Sequence, residues 1–131
     1  MLAFDNDEAN DWAYGLEDAD DLAPVQAALA GVDTAGADDL DADAATEALA
    51  ACEVLARLRG RPGYKNAYTE KVDDWVASHP IDPDAHVIEQ AGRAIDRILG
   101  DNSELRELWD DSGDAEEWRA AVADLRNRVV G

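Results

Sequence analysis

Apolar side chains recur every three or four positions along most of this chain, and that period decides its fold class. Such spacing places apolar residues on one face of an α-helix, which is then buried against other helices. Runs of β-branched residues that would build a sheet are few. We therefore predict an all-α fold, a single domain over residues 1–131 that forms a bundle of six or seven short helices with no sheet. The clearest apolar stripes are Ala45-Leu49-Cys52-Leu55-Leu58, Ile88-Ala91-Ile95-Ile98 and Trp118-Val122-Leu125-Val129.

Capping and helix-breaking residues predict where the helices begin and end. The pair Asp5 and Glu8 is predicted to open the first helix. The second is predicted from Leu22 to Ala30, with Gly31 as its stop, and residues 31–43 as an acidic loop. Later segments are a third helix over Ala44 to Leu58 and helix starts at Thr69, at Asp82 followed by Pro83, at the pair Asp101 and Glu104, and at Asp114.

The charge is strongly negative and unevenly distributed along the chain. The formal net charge is −20, and residues 1–56 contain 15 Asp and Glu but no Lys or Arg. Coulomb repulsion opposes binding to nucleic acid and to anionic membranes, so we predict neither as a partner. The excess of Asp over Glu and of Arg over Lys is also typical of a surface adapted to high salt. A high-salt host and a basic protein partner both remain open as explanations.

Compartment and redox state follow from other residues. The single cysteine, Cys52, excludes an intrachain disulfide and a cysteine-rich metal site. No segment has the roughly 18 apolar residues that a membrane span needs. The residues after Met1 are acidic, whereas a signal peptide begins with basic residues. These features predict a cytoplasmic protein.

Candidate sites for chemistry are weak. Asp39, Asp41 and Asp43 match the first three ligand positions of an EF-hand loop, but Ala44 replaces its glycine and Ala50 its closing glutamate. Two histidines, His79 and His86, are too few for a zinc site without help from carboxylates. Cys52 lies on an apolar stripe, which favours a core position over a nucleophile. We predict no catalytic residue, no metal and no cofactor, and we favour a non-enzymatic role.

Two further groups of residues have structural interpretations. Five bases between positions 57 and 71 interleave with Tyr64 and Tyr68, and we predict that they pair with the protein's own carboxylates. A local anion-binding spot is the alternative. The tryptophans at positions 12, 75, 109 and 118 each fall on an apolar stripe and are predicted to anchor the core. A partner pocket lined by one of them is the alternative.

Three blocks of sequence resemble a known bacterial family. They are Phe4-Asp5-Asn6-Asp7-Glu8-Ala9-Asn10-Asp11-Trp12, Ala51-Cys52-Glu53-Val54-Leu55-Ala56-Arg57-Leu58-Arg59-Gly60-Arg61-Pro62 and Asn102-Ser103-Glu104-Leu105-Arg106-Glu107-Leu108-Trp109, with Trp118 at the family's spacing. This pattern is similar to that of the domain of unknown function 4259 family. The family's usual W-G-x-G element before the phenylalanine is replaced by Met1-Leu2-Ala3. The resemblance implies a small helical domain and no established activity.

The leading functional hypothesis is a binding or regulatory domain that meets a basic protein through its acidic helical surface, as an immunity or inhibitor protein would. Some polar positions in the family blocks are not explained by helix capping. We predict a partner-facing site that comprises Asn6, Asp7, Asp11, Trp12 and Trp109. The alternatives are a metal-dependent enzyme or metal-binding protein with carboxylate ligands, and a mimic of nucleic-acid charge.

Overall fold

The computed structural model describes residues 7–35, 38–61 and 69–131, and these residues form seven α-helices. No strand occurs among them, and their only β-type contact is an isolated bridge between Leu40 and Ser103. The prediction of an all-α bundle of six or seven helices is confirmed. The helices are α1 (Asp7–Glu17), α2 (Ala23–Ala35), α3 (Ala42–Leu58), α4 (Glu70–Ser78), α5 (Ala85–Leu99), α6 (Glu104–Ser112) and α7 (Ala115–Val130).

Helix α3 is the centre of the bundle. It packs against each of the other six described helices, and every residue from Ala48 to Arg57 is buried. A helix can be surrounded in this way if its side chains are small or apolar on most sides and its buried charges are paired. Ala50, Ala51 and Ala56 provide that small surface beside the predicted stripe, and each is fully buried. The short alanine side chains allow the neighbouring helices to approach closely.

Several helix boundaries differ from the prediction. Helix α2 continues through Gly31 to Ala35 because Val32, which is buried, extends the stripe begun by Val25 and Leu29. Burying a valine contributes about 1.5–3 kcal/mol, more than the roughly 1 kcal/mol that a helical glycine costs. The first residues of the predicted 31–43 loop are therefore helical. The predicted Asp5 cap lies outside the described residues.

Two helices are capped by residues that lie two positions after the predicted cap. Helix α5 is capped by Asp84 rather than Asp82, with the Val87 amide donating to Asp84 Oδ1 at 3.0 Å. Helix α6 is capped by Ser103 rather than Asp101, because Asn102 has a φ of 57°, which is incompatible with a helix running through it. The residue that caps a helix must directly precede it in extended conformation, which Asp84 and Ser103 do.

The tryptophans divide into two pairs. Trp75 and Trp118 are buried, and Trp75 Nε1 donates to the carbonyl oxygen of Ala19 at 2.9 Å, which ties α4 to the residues after α1. Trp12 and Trp109 are half-buried and pack against the edge of the core. The prediction of core anchors is thus confirmed for two tryptophans, whereas the other two retain exposed surface.

Four charged side chains form an ion cluster between α3, α4 and α7, in which Glu53 and Arg57 are buried and Asp73 and Arg128 are partly buried. Arg57 binds Glu53 one turn before it and donates from Nε to Asp73 Oδ1 at 2.8 Å. Arg128 donates from Nη2 to Glu53 Oε1 at 2.6 Å. The side chains of Glu53 and Arg57 are each 2% exposed. We name Glu53, Arg57, Asp73 and Arg128 the buried ion cluster.

None of the described helices combines the length and the apolar character that crossing a lipid bilayer requires.

Candidate functional site

The start of α3 presents carboxylates on a fixed backbone. Asp41 precedes the helix in extended conformation, and its Oδ1 accepts a hydrogen bond from the Asp43 amide at 2.9 Å. The Ala42 amide donates to Glu104 Oε1 at 3.1 Å, so a carboxylate from α6 also caps α3. Because negative groups are favoured at a helix N-terminus, both acids stabilise this end of α3. Asp41, considered as a possible calcium ligand from its spacing, is a capping residue.

Helix α1 adds a further carboxylate beside this end of α3. The pKa of Glu47 is raised by burial and by the negative charges of Glu8, Asp43 and Asp41, in that order. Glu8 lies on α1 and the other acids lie at the start of α3, so the fold brings together carboxylates that are distant in sequence. We name Glu8, Asp41, Asp43 and Glu47 the acidic patch.

The described arginines that form ion pairs lie outside the acidic patch. Each of five arginines forms an ion pair with a carboxylate contributed by α3–α7 or by the loop between α5 and α6. They are Arg57, Arg106, Arg119, Arg126 and Arg128. Within the described part of the chain, no Lys, Arg or His nitrogen lies within 4.0 Å of a carboxylate of the acidic patch. Among the described residues, the acidic patch therefore has no basic side chain as an ion-pair partner, and backbone amides at the N-terminus of α3 supply the positive partial charge beside it.

The raised pKa of Glu47 gives a testable stability effect. The folded protein binds the Glu47 proton more tightly than the unfolded chain does, so the ionised form of Glu47 destabilises the fold. We expect Glu47→Gln to raise the melting temperature at neutral pH and low salt. The gain should shrink as the pH falls through the raised pKa, and it should vanish below the ordinary glutamate pKa of 4.5, where Glu47 is protonated in both states.

Salt provides the second arm of this experiment. In molar KCl the screening length is about 3 Å, so the part of the advantage of Glu47→Gln that comes from repulsion should largely disappear, while the part that comes from burial of the carboxylate should remain. The wild type itself should gain stability in molar KCl. The matched control is Glu89→Gln, which removes an exposed carboxylate from α5. Thermal melts followed by circular dichroism measure both effects. Equal gains for the two variants at low salt would show that net charge alone, and not the acidic patch, is responsible.

The described residues of the predicted partner-facing site differ in exposure and lie on two helices, α1 and α6. Asp11 is exposed on α1 one turn after Glu8 and extends the acidic patch. Trp12 is half-buried on the same helix, Asp7 begins α1, and Asn6 lies outside the described residues. Trp109 belongs to α6 and stacks on Trp118 of α7, with ring centroids 6.2 Å apart.

The packing of the helices separates the two predicted tryptophans. Trp12 belongs to α1, which packs against α3 and α4, whereas Trp109 belongs to α6, which packs against α3, α5 and α7. The sequence patterns did not single out Glu8 or Glu47 as site residues. Their signal was weak, because a carboxylate on a helix of so acidic a chain is an ordinary surface residue. Their significance depends on the packing of α1 against α3.

A shallow cleft lies at the start of α6. It has a volume of about 450 Å³ and is lined by Gly100, Asp101, Asn102, Ser103, Arg106, Glu107 and Asp110. Arg106 crosses it, donating from Nη1 to the Gly100 carbonyl at 3.0 Å and to Asp101 Oδ1 at 3.2 Å. The Arg106 guanidinium thus donates its hydrogen bonds to oxygen atoms of the protein itself.

The family block that contains this cleft has a structural role. The Leu40 amide donates to the Asn102 carbonyl at 2.7 Å, and the Glu104 amide donates to the Leu40 carbonyl at 3.0 Å. Ser103 is fully buried and caps α6. These bonds join the start of α6 to the start of α3, and so they hold the α3 part of the acidic patch in place.

The other candidates for chemistry are also accounted for. Cys52 is fully buried, and burial followed by the charge of Glu53 raises the pKa of its thiol, which opposes thiolate formation. His79 stacks on Trp75 with centroids 4.6 Å apart, and its Nδ1 donates to the Trp75 carbonyl at 2.9 Å. His86 is exposed on α5. Over the described ranges, no group of three or more His, Cys, Asp or Glu residues is placed to hold a metal ion.

Comparison with known proteins places these features in a family. A family model described as "Domain of unknown function (DUF4259)" matches residues 1–121, which include α1 to α6 and the first part of α7. No curated protein and no solved structure matches the chain. The family match covers the acidic patch, the α6 cleft and all of the buried ion cluster except Arg128.

Proposed function

We propose that this chain, which belongs to the DUF4259 family, is a non-enzymatic interaction domain that binds a basic protein through its acidic patch. The charge pattern favours an interaction in which the acidic patch covers the basic active site of its partner, as an inhibitor or immunity protein does. The proposal places the interaction in the cytoplasm and assigns no role to nucleic acid or membrane.

The observation that carries the proposal is the separation of charge within the molecule. Five arginines are held in ion pairs by α3–α7 and the α5–α6 loop, whereas the carboxylates of the acidic patch have no basic partner among the described residues. Burial, and after it repulsion from Glu8, Asp43 and Asp41, raises the pKa of Glu47. A lysine or arginine from a partner would relieve this repulsion, so binding a cationic surface is favourable at this end of the molecule.

The acidic patch is also preorganised for binding. Its helices are anchored by buried residues on their inner faces, Ala9 and Ala13 on α1 and Ala45 and Leu49 on α3. Side chains on rigid helices lose less conformational freedom on binding than side chains on mobile loops. Complementary fields of this kind mainly accelerate encounter between partners.

The test uses a fluorescein-labelled octalysine peptide as the probe, with binding measured by fluorescence anisotropy at low salt. The triple variant Glu8→Gln, Asp43→Asn, Glu47→Gln should weaken binding about tenfold, as expected for three surface charges worth about 0.5 kcal/mol each. A matched triple variant, Glu89→Gln, Asp111→Asn, Glu116→Gln, removes the same charge from exposed positions on α5, α6 and α7. It should weaken binding by less than about threefold.

The outcomes separate the hypotheses. Equal losses for the two triple variants would show that the peptide responds to net charge alone, as an adaptation to high salt predicts, and would overturn the proposal. Tight binding of Mn²⁺ or Zn²⁺ by calorimetry, lost with Asp41→Asn or His86→Ala, would favour the carboxylate metal protein instead. Competition between the octalysine peptide and duplex DNA for a basic partner would be expected of a nucleic-acid mimic.

A further inference from the structure

Tyr14 is an exposed aromatic residue on the outer face of α1. Its relative exposure is 58%, the highest among the large hydrophobic side chains of the described residues. At 100° per residue, Glu8, Asp11 and Tyr14 fall within about one third of the circumference of α1. The core does not require Tyr14, whose helix is already anchored by Ala9, Ala13 and Leu16.

A cation already occupies this ring. The Nζ atom of Lys71, near the start of α4, lies 3.4 Å from the centroid of the Tyr14 ring. Among the described residues, the Lys71 ammonium has no carboxylate within 4.0 Å. Although the molecule has a net charge of −20, this lysine contacts the face of an aromatic ring and not a carboxylate of the described residues. The Tyr14 ring therefore binds an ammonium group within the fold.

The ring and the acidic patch are within reach of one ligand. Tyr14 lies six residues after Glu8 on α1, which is about 9 Å along the helix axis. An extended peptide advances about 3.4 Å per residue, so basic side chains two or three residues apart span that distance. Open space surrounds Gly15, where an added Cβ atom would meet nothing within 4 Å. Among the described residues, the space beside Gly15 on this face of α1 is therefore open.

We propose that the Tyr14 ring receives a lysine or arginine side chain of a basic partner segment, and that Lys71 occupies the ring until the partner displaces it. This proposal rests on the proposed function and assigns an anchor residue to the same surface. The exchange replaces one cation–π contact by another, and the released Lys71 ammonium regains its hydration. Lys71 thus acts as an internal competitor that lowers affinity for weakly basic segments.

The same octalysine probe tests the proposal with single variants. In the Lys71→Gln background, Tyr14→Leu should weaken binding about two- to fivefold, the effect of one exposed cation–π contact, while Tyr14→Phe keeps the ring and should leave affinity unchanged. With Lys71 present the loss should be smaller, because Tyr14→Leu then also removes the internal contact with Lys71. Lys71→Gln should strengthen binding because it removes the competitor. Arg93→Gln, at an exposed position on α5, makes the same change in net charge and is the matched control.

A nuclear magnetic resonance titration adds a direct readout. Ring current from Tyr14 should shift the Lys71 ε-methylene protons upfield in the free protein, and the octalysine peptide should reverse that shift. Equal affinities for Lys71→Gln and Arg93→Gln, or an affinity that Tyr14→Leu leaves unchanged in the Lys71→Gln background, would overturn the anchor. If the Tyr14 anchor is overturned but the acidic-patch triple variant still loses more binding than its matched control, the proposed function stands without the anchor. Equal losses for the two triple variants overturn the proposed function itself.

Discussion

Replacing Glu53 by alanine is expected to destabilise the protein by about 3–5 kcal/mol, a large part of the roughly 5–15 kcal/mol typical of a domain. The carboxylate of Glu53 accepts hydrogen bonds from both Arg57 and Arg128, and its side chain is 2% exposed. Its removal leaves two guanidinium groups in the interior without their shared acceptor. Arg57 keeps its bond to Asp73 and Arg128 keeps its bond to Asp124, but both lose the carboxylate that compensates their charge inside the bundle, where the surrounding protein cannot replace water.

Urea unfolding followed by circular dichroism measures this loss. Asp96→Ala is the matched control, since it removes the carboxylate of the exposed pair between Asp96 and Arg126. An exposed pair contributes about 0–1 kcal/mol, so the control should stay near wild type. Similar losses for Glu53→Ala and Asp96→Ala would mean that the buried ion cluster does not hold α3, α4 and α7 together.

The second large effect concerns the apolar centre of the bundle. Leu55→Ala should destabilise the protein by about 2–5 kcal/mol, because Leu55 is fully buried on α3 and its removal leaves a cavity that surrounding helices fill only in part. The destabilisation combines the transfer free energy of the deleted atoms with the weaker van der Waals attraction among the side chains that line the cavity. Chemical denaturation and thermal melts should report the same order of stability.

Leu108→Ala provides the contrast for Leu55. Leu108 lies on α6 with a relative exposure of 57%, so truncation there should change stability by less than about 0.5 kcal/mol. The two variants delete the same atoms, and only burial distinguishes them. A loss at Leu108 as large as the loss at Leu55 would contradict the central position of α3.

The candidate site is only partly predictable from the sequence. Asp11 and Trp12 belong to the predicted site, and Asp11 does extend the acidic patch. Glu8 and Glu47 do not belong to the predicted site, because no local sequence pattern shows that residue 8 of α1 lies near residue 47 of α3. Asp41 matches a calcium-ligand position in an incomplete loop, although its place before an alanine-rich helix is also that of an N-cap.

The family blocks likewise acquire their meaning from tertiary contacts. Asn102 and Glu104 connect through Leu40 to the start of α3, a contact across more than sixty positions that local patterns do not reveal. In the middle block, Glu53 and Arg57 have the spacing of a favourable pair one helical turn apart, which is the ordinary surface arrangement. The structure buries the pair and adds Arg128 from α7.

The amino-acid sequence alone determined the helices and the net charge of this protein. Apolar spacing sets the amphipathic faces, and the excess of carboxylates is a property of composition, so both could be read without a structure. The tertiary structure alone decided that α3 is surrounded, because small residues on several of its sides permit burial but do not require it. It likewise decided that Glu53 is interior and that Glu8 meets Glu47, since contacts between distant segments depend on how amphipathic faces pair, and many pairings satisfy the same local pattern.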